Sequence, residues 1–321
     1  MPGGLQVVAV VGPTGCGKSQ LSLDIVERLS EQGWRAEIIN ADSMQVYRGM
    51  DIGTAKVSVS ERRGIPHHLL DIWDVTQGAN VADYQRQARR SIADVLSRGA
   101  LPILVGGSGL YIRAVLDDLR FPGTDPQLRA RLQADLDELG AAELHARLAR
   151  IDPSAAASIL ASNGRRIVRA LEVIELSGGP FTAELPPPRP VYRQLEIGLD
   201  DERAELDRRL ADRVDVMWRL GLVDEVRHLA GLPGSPTASR ALGYAQVLAM
   251  LAGQFDEQSA RERTVAATRK FARRQRSWFR RDGGIRWLPA DVPDRVALAV
   301  EMITSAGPLS TEPDAAITQP R

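Results

Sequence analysis

The chain has 321 residues, of which 44% are apolar and 26% charged, and its formal net charge is +0. This composition predicts an ordinary globular protein of one large domain, or of a domain with an insertion, and excludes a globally basic nucleic-acid binder. Cys16 is the only cysteine, which excludes an internal disulfide and a cysteine-rich zinc module. Because we find no signal peptide or transmembrane run, we expect a cytoplasmic protein with no membrane partner.

A glycine-rich segment follows the apolar run Val7–Val11. Its sequence, GPTGCGKS, fits the phosphate-loop pattern G-x-x-x-x-G-K-[ST] and precedes a predicted helix, Ser19–Gln32. Backbone N–H groups would bind phosphate oxygens, Lys18 would reach the terminal phosphate, and the Ser19 hydroxyl would bind Mg²⁺. The predicted polyphosphate site consists of Gly12, Pro13, Thr14, Gly15, Cys16, Gly17, Lys18 and Ser19.

Strand-like and helical segments alternate over residues 5–120. The predicted strands are the short apolar runs Val7–Val11, Ala36–Ile39 and Leu101–Val105, and a further helix spans Val81–Arg98. This order predicts an α/β fold, a doubly wound parallel sheet with a P-loop, in which ligands bind at the carboxyl ends of the strands.

The pattern changes near Phe121, after which the periodicity is only helical to about Ser177. One predicted apolar stripe contains Leu128, Leu132, Leu136 and Leu139, and another contains Ile167, Leu171 and Ile174. A strand returns at Gln194–Gly198, and helices follow from about Glu202. We therefore predict a catalytic core of residues 1–120 and 193–304, a helical insert domain of residues 121–192, and a disordered tail of residues 305–321.

Two further segments follow predicted strands at the edge that carries the phosphate loop. Asp42 follows the second strand. From its position alone, a functional carboxylate and a residue that forms a local turn or caps the next helix are about equally good interpretations. Gly106–Tyr111 follows the third strand, where its glycines permit close approach of a ligand and Ser108 can donate a hydrogen bond. A tight strand-to-helix turn is the alternative for this segment.

Arg209 and Arg213 lie one helical turn apart, so that the pair can bind one anion. From these residues alone, surface ion pairing, for example of Glu205 with Arg209, is the favoured alternative. We predict no metal site at His67 and His68, because adjacent side chains of an extended chain point in opposite directions.

Nine motifs occur in the order found in tRNA dimethylallyltransferases, also called tRNA isopentenyl-pyrophosphate transferases, and the chain resembles this family over about residues 5–288. The motifs are Gly12–Ser19, Asp42–Tyr47, Asp51–Lys56, Gly64–Asp71, Gly106–Tyr111, Asp125–Arg129, Asn163–Glu172, Arg240–Tyr244 and Arg274–Arg280. The resemblance implies an enzyme that transfers a dimethylallyl group from dimethylallyl diphosphate to N6 of the adenine 3′ of the anticodon, in tRNAs with adjacent adenines.

The resemblance also implies residue roles. Asp42 would be the general base, the phosphate loop with Mg²⁺ at Ser19 would hold the diphosphate, and Arg209 and Arg213 would contact it. The implied catalytic set is Asp42, Ser108, Lys18 and Arg213. The implied tRNA contacts are Asp42, Ser43, Met44, Gln45, Ser108, Arg129, Arg165, Arg166, Ile167, Val168, Arg169, Arg240, Gly243, Tyr244, Arg274 and Arg280.

The expected partner is the anticodon stem-loop of tRNA, bound by a monomer. The helical insert and the basic stretch 261–281 would supply contacts to phosphates and unpaired bases, although the aromatic Trp278 of this stretch fits a core position better. The alternative functions are a phosphate-loop kinase of a small metabolite and a non-enzymatic RNA-binding module with a structural nucleotide. The kinase is disfavoured because no strand-terminal Asp follows Leu101–Val105, and the binding module leaves Asp42 and Ser108 without a role.

Overall fold

The computed structural model describes residues 4–182 and 184–311. The chain divides into two compact units, one formed by the residues up to Asp118 and from Arg189 onward, the other by Leu119–Pro188. The second unit begins and ends slightly earlier than the predicted insert of residues 121–192. Within the described residues, no helix is both long enough and apolar enough to cross a lipid bilayer.

The first unit contains a six-stranded, all-parallel sheet with strand order β3-β2-β4-β1-β5-β6. The strands are β1 Val7–Val11, β2 Ala36–Asn40, β3 His67–His68, β4 Leu101–Gly106, β5 Gln194–Asp200 and β6 Arg286–Pro289. The α/β parallel sheet and the four predicted strands are therefore confirmed. The short edge strands β3 and β6 were not predicted.

The described residues contain eleven α-helices. They are α1 Lys18–Ser30, α2 Val81–Ser97, α3 Gly109–Leu116, α4 Pro126–Ile151, α5 Pro153–Ser158, α6 Gly164–Ser177, α7 Arg203–Arg219, α8 Leu222–His228, α9 Tyr244–Leu251, α10 Glu257–Phe279 and α11 Arg295–Ser305. Helices α4 to α6 belong to the second unit.

Apolar residues cover both faces of the sheet. Val7, Ala9 and Val11 of β1 point into one core cluster, which includes residues of α2 and α3, whereas Val8 and Val10 point into another, which includes residues of α1 and α11. Successive side chains of a strand alternate between faces, so a strand buried on both sides reads as an unbroken apolar run. This is why the central strands were recognisable from sequence.

The second unit has its own apolar core, in which Leu132, Ile167 and Leu171 are fully buried. The predicted stripe is wrong at Leu139, whose side chain is 54% exposed. Gly140 has φ 82° and ψ 164°, which interrupts helical geometry inside α4. Because the helix is interrupted at Gly140, the apolar stripe ends before Leu139.

The predicted tail of residues 305–321 begins too early. Leu309 forms a parallel bridge with Leu5, and the Ser310 N–H donates to the Leu5 carbonyl at 2.9 Å. The Arg193 guanidinium donates to the Ser310 hydroxyl at 2.6 Å. These contacts fix residues up to 310 against the start of the chain, and residues 312–321 of the predicted tail lie outside the described residues.

Glu196 of β5 is a largely buried carboxyl in the first unit. Burial raises its pKa to about 7, and the negative charges of Asp282 and Asp117 add to this shift. The unfolded chain loses this proton near the ordinary pKa of 4.5, whereas the folded protein keeps it up to about pH 7. Between these values the folded state binds more protons, so Glu196 lowers the stability of the fold as pH rises.

We predict that Glu196→Gln removes this pH dependence. At pH 8 the variant should be more stable than the parent chain by about 3 kcal/mol, and at pH 4.5 the two should be nearly equal. Urea unfolding at several pH values measures the difference, with the exposed Glu301→Gln as the control. Equal stability differences at both pH values would show that Glu196 does not carry the pH dependence.

Candidate active site

The phosphate loop connects β1 to α1 and packs against the end of β5. A Cβ atom on Gly12 would lie 2.2 Å from the carbonyl oxygen of Leu199, so only glycine fits this approach. The Lys18 ammonium folds back over the loop and donates to the Pro13 carbonyl at 2.7 Å. The Thr14 N–H does not point at a ligand position, because it donates to the Gln275 side chain at 2.8 Å. Farther along the loop, the Lys18 N–H contacts the Cys16 thiol, and Gly15 and Gly17 border the neighbouring cavity.

A cavity of about 460 Å³ opens in front of this loop. It is lined by loop residues, by the ends of β2 and β4, by the segment 54–57 and by α7. The lining includes Thr14, Gly15, Gly17, Lys18, Ser19, Asn40, Asp42, Gln45, Thr54, Ala55, Val57, His67, Gly106, Gly107, Arg209, Asp212 and Arg213. The structure thus brings the predicted loop, carboxylate and arginines together in one unit.

Asp42 lies in a turn that Asn40 braces from inside. The buried Asn40 side chain accepts from the Asp42 N–H at 3.0 Å and donates to the Leu69 carbonyl at 3.1 Å. Asp42 Oδ1 accepts from the Met44 N–H at 2.8 Å, which is the local turn that the sequence allowed. Among the described residues, Oδ2 has no hydrogen-bond partner. Asp42 therefore stabilises the turn with one carboxylate oxygen, and the residue also lines the cavity.

Ser108 joins the end of β4 to the turn after β2. Its hydroxyl accepts from the Ser43 N–H and donates to the Ser43 hydroxyl, both at 3.2 Å. Neither serine lines the cavity, in contrast to the expectation for Ser108. Gln45 does line it, and its amide donates to the Thr54 carbonyl at 3.1 Å, which holds the cavity wall.

Arg209 and Arg213 of α7 both line the cavity. Arg209 pairs with the buried Asp201 at the end of β5, not with Glu205, which pairs with Arg208. Burial lowers the pKa of Arg213, and the nearby negative charge of Asp42 opposes this shift. An arginine stays charged in this range, so Arg213 presents a poorly solvated positive charge near Asp42.

The loop that leads into the cavity-lining segment 54–57 is held by Glu225 of α8, a residue that the sequence did not single out. The Glu225 carboxylate accepts from the N–H groups of Asp51, Ile52 and Gly53 at 3.0, 2.7 and 3.2 Å. It also accepts from the Tyr244 hydroxyl. Three consecutive N–H groups around one carboxylate form an anion nest, which fixes the backbone of this loop.

Several side chains of the predicted tRNA set are wholly or partly buried and pack against the apolar cores of their units. Tyr244 is fully buried, and its hydroxyl donates to Glu225. Ile167 and Val168 are 0% and 4% exposed and belong to the core of the second unit. Met44 is partly buried and packs against the core of the first unit.

The predicted arginines divide into paired and exposed groups. Arg129 and Arg169 both pair with the fully buried Glu172. Burial raises the pKa of this carboxyl, but the opposing effect of the two arginines is larger, so the pKa lies below its usual range. Arg280 pairs with the buried Asp200 at 2.7 Å and stacks over Trp287.

The other members of the predicted tRNA set differ in their exposure to solvent. Arg240 and Arg274 are exposed, and Arg274 lies over the Phe271 ring. Gly243 caps α9, with its N–H donating to Gln246. Arg165 and Arg166 begin α6 in the second unit. Trp278 packs against the core, as its alternative interpretation predicted.

Neither histidine takes part in a metal cluster. The His67 ring donates to the Ile65 carbonyl at 2.8 Å, and burial lowers its pKa, so it lines the cavity as a neutral ring. His68 contacts Glu37 at 2.7 Å. Across residues 4–182 and 184–311, no group of three His, Cys, Asp or Glu side chains is placed to hold a metal ion.

Comparisons with known proteins identify the family of this chain. A model of the family described as IPP transferase matches residues 45–282. The chain is 64% identical over 299 residues to the tRNA dimethylallyltransferase of Thermobifida fusca (strain YX), covering 92% of this chain and 94% of the relative. It is 60% identical over 302 residues to that of Salinispora arenicola (strain CNS-205), covering 94% and 87%.

Solved structures give the same result. The tRNA isopentenylpyrophosphate transferase of Bacillus halodurans matches with a TM-score of 0.68 and 38% identity, over 94% of this chain and 96% of that one. A eukaryotic dimethylallyltransferase acting on tRNA matches with a TM-score of 0.77 and 26% identity, over 96% of this chain and 81% of that one.

We predict that Glu225→Ala destabilises the fold more than Asp224→Ala. The first change leaves three loop N–H groups and the Tyr244 hydroxyl without their acceptor, at a cost of about 2–3 kcal/mol. Asp224 is an exposed neighbour that pairs with Arg227, so its loss should cost less than about 1 kcal/mol. Both residues lie in the first turn of α8, so that the helix dipole acts on each. Urea unfolding compares them, and equal costs would contradict the anchoring role of Glu225.

Proposed function

This chain belongs to the tRNA dimethylallyltransferase family and is an enzyme that transfers a dimethylallyl group to tRNA, and we propose that its donor is dimethylallyl diphosphate. The proposed acceptor is N6 of the adenine 3′ of the anticodon, in tRNAs with adjacent adenines. The products are the N6-alkylated tRNA and diphosphate. The observation that carries the proposal is the single cavity that holds the phosphate loop, Asp42 and Arg213.

The cation-rich side of the cavity suits a diphosphate. Lys18, Arg209 and Arg213 line it together with the loop backbone, and such groups bind and stabilise a departing anion. A diphosphate offers the loop the same oxygens as the end of a nucleotide. The neutral His67 and the apolar Val57 lie in the same lining, which suits an uncharged allylic chain.

The proposed reaction is a substitution at the first carbon of the dimethylallyl group. The C–O bond to the diphosphate breaks with its electron pair going to the diphosphate oxygen, while the N6 lone pair forms the new C–N bond. The adenine amine is a weak nucleophile, and its proton becomes acidic as the C–N bond forms. Asp42 accepts that proton, which is the role of a general base within reach of the nucleophile.

Magnesium fits this site as a ligand of the substrate rather than of a protein cage. The Ser19 side chain is exposed and lines the cavity beside Lys18. Mg²⁺ commonly takes a hydroxyl or carboxylate, phosphate oxygens and waters, so Ser19 and the diphosphate suffice to hold it. When bound, the ion would neutralise charge on the diphosphate.

We propose that the chain binds the anticodon stem-loop as a monomer. The exposed Arg240 and Arg274 of the first unit, and Arg165 and Arg166 of the second, would contact phosphates or bases. The target adenine has to leave its stack, because N6 must approach the carbon that bears the diphosphate.

One assay tests this function. The protein is incubated with Mg²⁺, dimethylallyl diphosphate and an unmodified tRNA with adjacent adenines at the expected position, and the nucleosides are analysed by mass spectrometry. An adenosine heavier by one dimethylallyl group, lost when that adenine is changed to guanine, is the expected result. No mass gain with folded, tRNA-binding protein would overturn the proposed donor or acceptor, and phosphorylation of a small metabolite would favour the kinase.

We predict that Asp42→Ala lowers kcat by about 100- to 10,000-fold, because the general base is lost. The dissociation constant for tRNA should change less than about threefold, since phosphate contacts dominate such affinity. The exposed Asp94→Asn on α2 is the control and should keep full turnover. Unchanged turnover of Asp42→Ala would refute its role as base.

We predict that Lys18→Ala weakens the binding of inorganic pyrophosphate by about 10- to 100-fold, because a charge-assisted hydrogen bond is worth about 1.5–3 kcal/mol. Removal of Mg²⁺ with a chelator should weaken the same binding. Calorimetry measures both, with the exposed Lys270→Ala as the control. Full pyrophosphate affinity in Lys18→Ala would place the diphosphate elsewhere.

A further inference from the structure

Gln275 of α10 connects the two loops that border the candidate site. Its Oε1 accepts from the Thr14 N–H of the phosphate loop at 2.8 Å. Its Nε2 donates to the Gly107 carbonyl, in the turn between β4 and α3, also at 2.8 Å. One amide thus satisfies a half-buried donor on one loop and a buried acceptor on the other.

The surroundings of Gln275 leave little room for another arrangement. The residue is only 6% exposed, so it cannot contact a tRNA directly. A Cβ atom on Gly107 would lie 2.3 Å from Gln275 Nε2, and 3.1 Å from the Gly12 carbonyl oxygen. Glycine at position 107 is therefore what lets the amide reach both loops.

We propose that Gln275 is a positioning residue for the reaction, which sets the phosphate loop against the turn that carries Gly107 and Ser108. The inference rests on the proposed function, because it assigns Gln275 to the diphosphate side of that site. A side chain that fixes the loop backbone orders the N–H groups before the anion arrives. Loss of this order should reduce diphosphate binding and the productive alignment of the substrate.

Position 275 also suits an amide better than any charged residue. A carboxylate would accept from the Thr14 N–H but could not donate to the Gly107 carbonyl, and an ammonium could donate but not accept. The amide does both without adding charge beside the anion site. This two-sided requirement distinguishes Gln275 from a residue that merely fills space.

The test compares Gln275→Ala with Gln258→Ala, an exposed position on the same helix. We expect Gln275→Ala to bind inorganic pyrophosphate about tenfold more weakly and to raise the KM for dimethylallyl diphosphate similarly, with lowered kcat. Its tRNA dissociation constant should stay within about threefold of the parent value. Gln258→Ala should match the parent chain in all four measurements. A purely structural role would lower the melting temperature and leave the affinities of the folded protein unchanged, which would overturn the inference.

A second variant, on the turn that carries Gly107, tests the same bridge, which consists of the two hydrogen bonds of the Gln275 amide. Gly107→Ala should also weaken pyrophosphate binding, and the double variant Gly107→Ala with Gln275→Ala should lose less than the sum of the two effects. Additive losses would contradict a shared bridge, even if one single variant folds poorly. If the parent chain transfers no dimethylallyl group from dimethylallyl diphosphate, the proposed function is wrong, whatever the variants do. If the parent chain is active but the variants bind pyrophosphate as well as the parent does, only the role proposed for Gln275 is wrong.

Discussion

The site depends on the close backbone contact between the phosphate loop and the neighbouring strand β5. Gly12 touches the Leu199 carbonyl, and this contact is possible only because β1 and β5 run parallel with their ends level. The same alignment pairs Val11 with Gly106 of β4 and Asn40 of β2 with Val105. The loop and both turns therefore leave the sheet at one edge, and no single helix or strand carries the site alone.

Charge in this protein is balanced locally, which explains how a chain with no net charge can present cationic groups. Asp200 and Asp201, at the end of β5, are both buried, and each is matched by arginines. Arg276 of α10 and Arg280, which follows its last residue, pair with Asp200, so part of the basic stretch 261–281 holds the helix to the sheet. Arginine abundance alone thus overstates the surface that is free for a nucleic acid.

The sequence predicted the features that are encoded locally. Apolar runs identified the central strands, and the glycine and lysine spacing of residues 12–19 identified the phosphate loop. The contacts of Gln275 with Thr14 and of Glu225 with Ile52 span 261 and 173 residues, and no local pattern reports such pairs. The same limit applies to Tyr244, whose hydroxyl contacts Glu225 from inside the core.

The second unit is inserted in the chain between α3 and β5, and the contacts where the chain leaves and re-enters the first unit explain why the sheet tolerates this insertion. Asp117 and Pro190 form an antiparallel bridge, and the Asp118 N–H donates to the Arg189 carbonyl at 2.8 Å. The chain therefore leaves and re-enters the first unit at adjacent points, and β5 begins beside β1 as if the intervening residues were a short connection. Because the helices that follow β5 supply Gln275 and Glu225, the last third of the chain braces a site whose ligand-facing groups come mainly from the first. Substitutions far from the cavity in sequence can then alter catalysis through loop geometry alone.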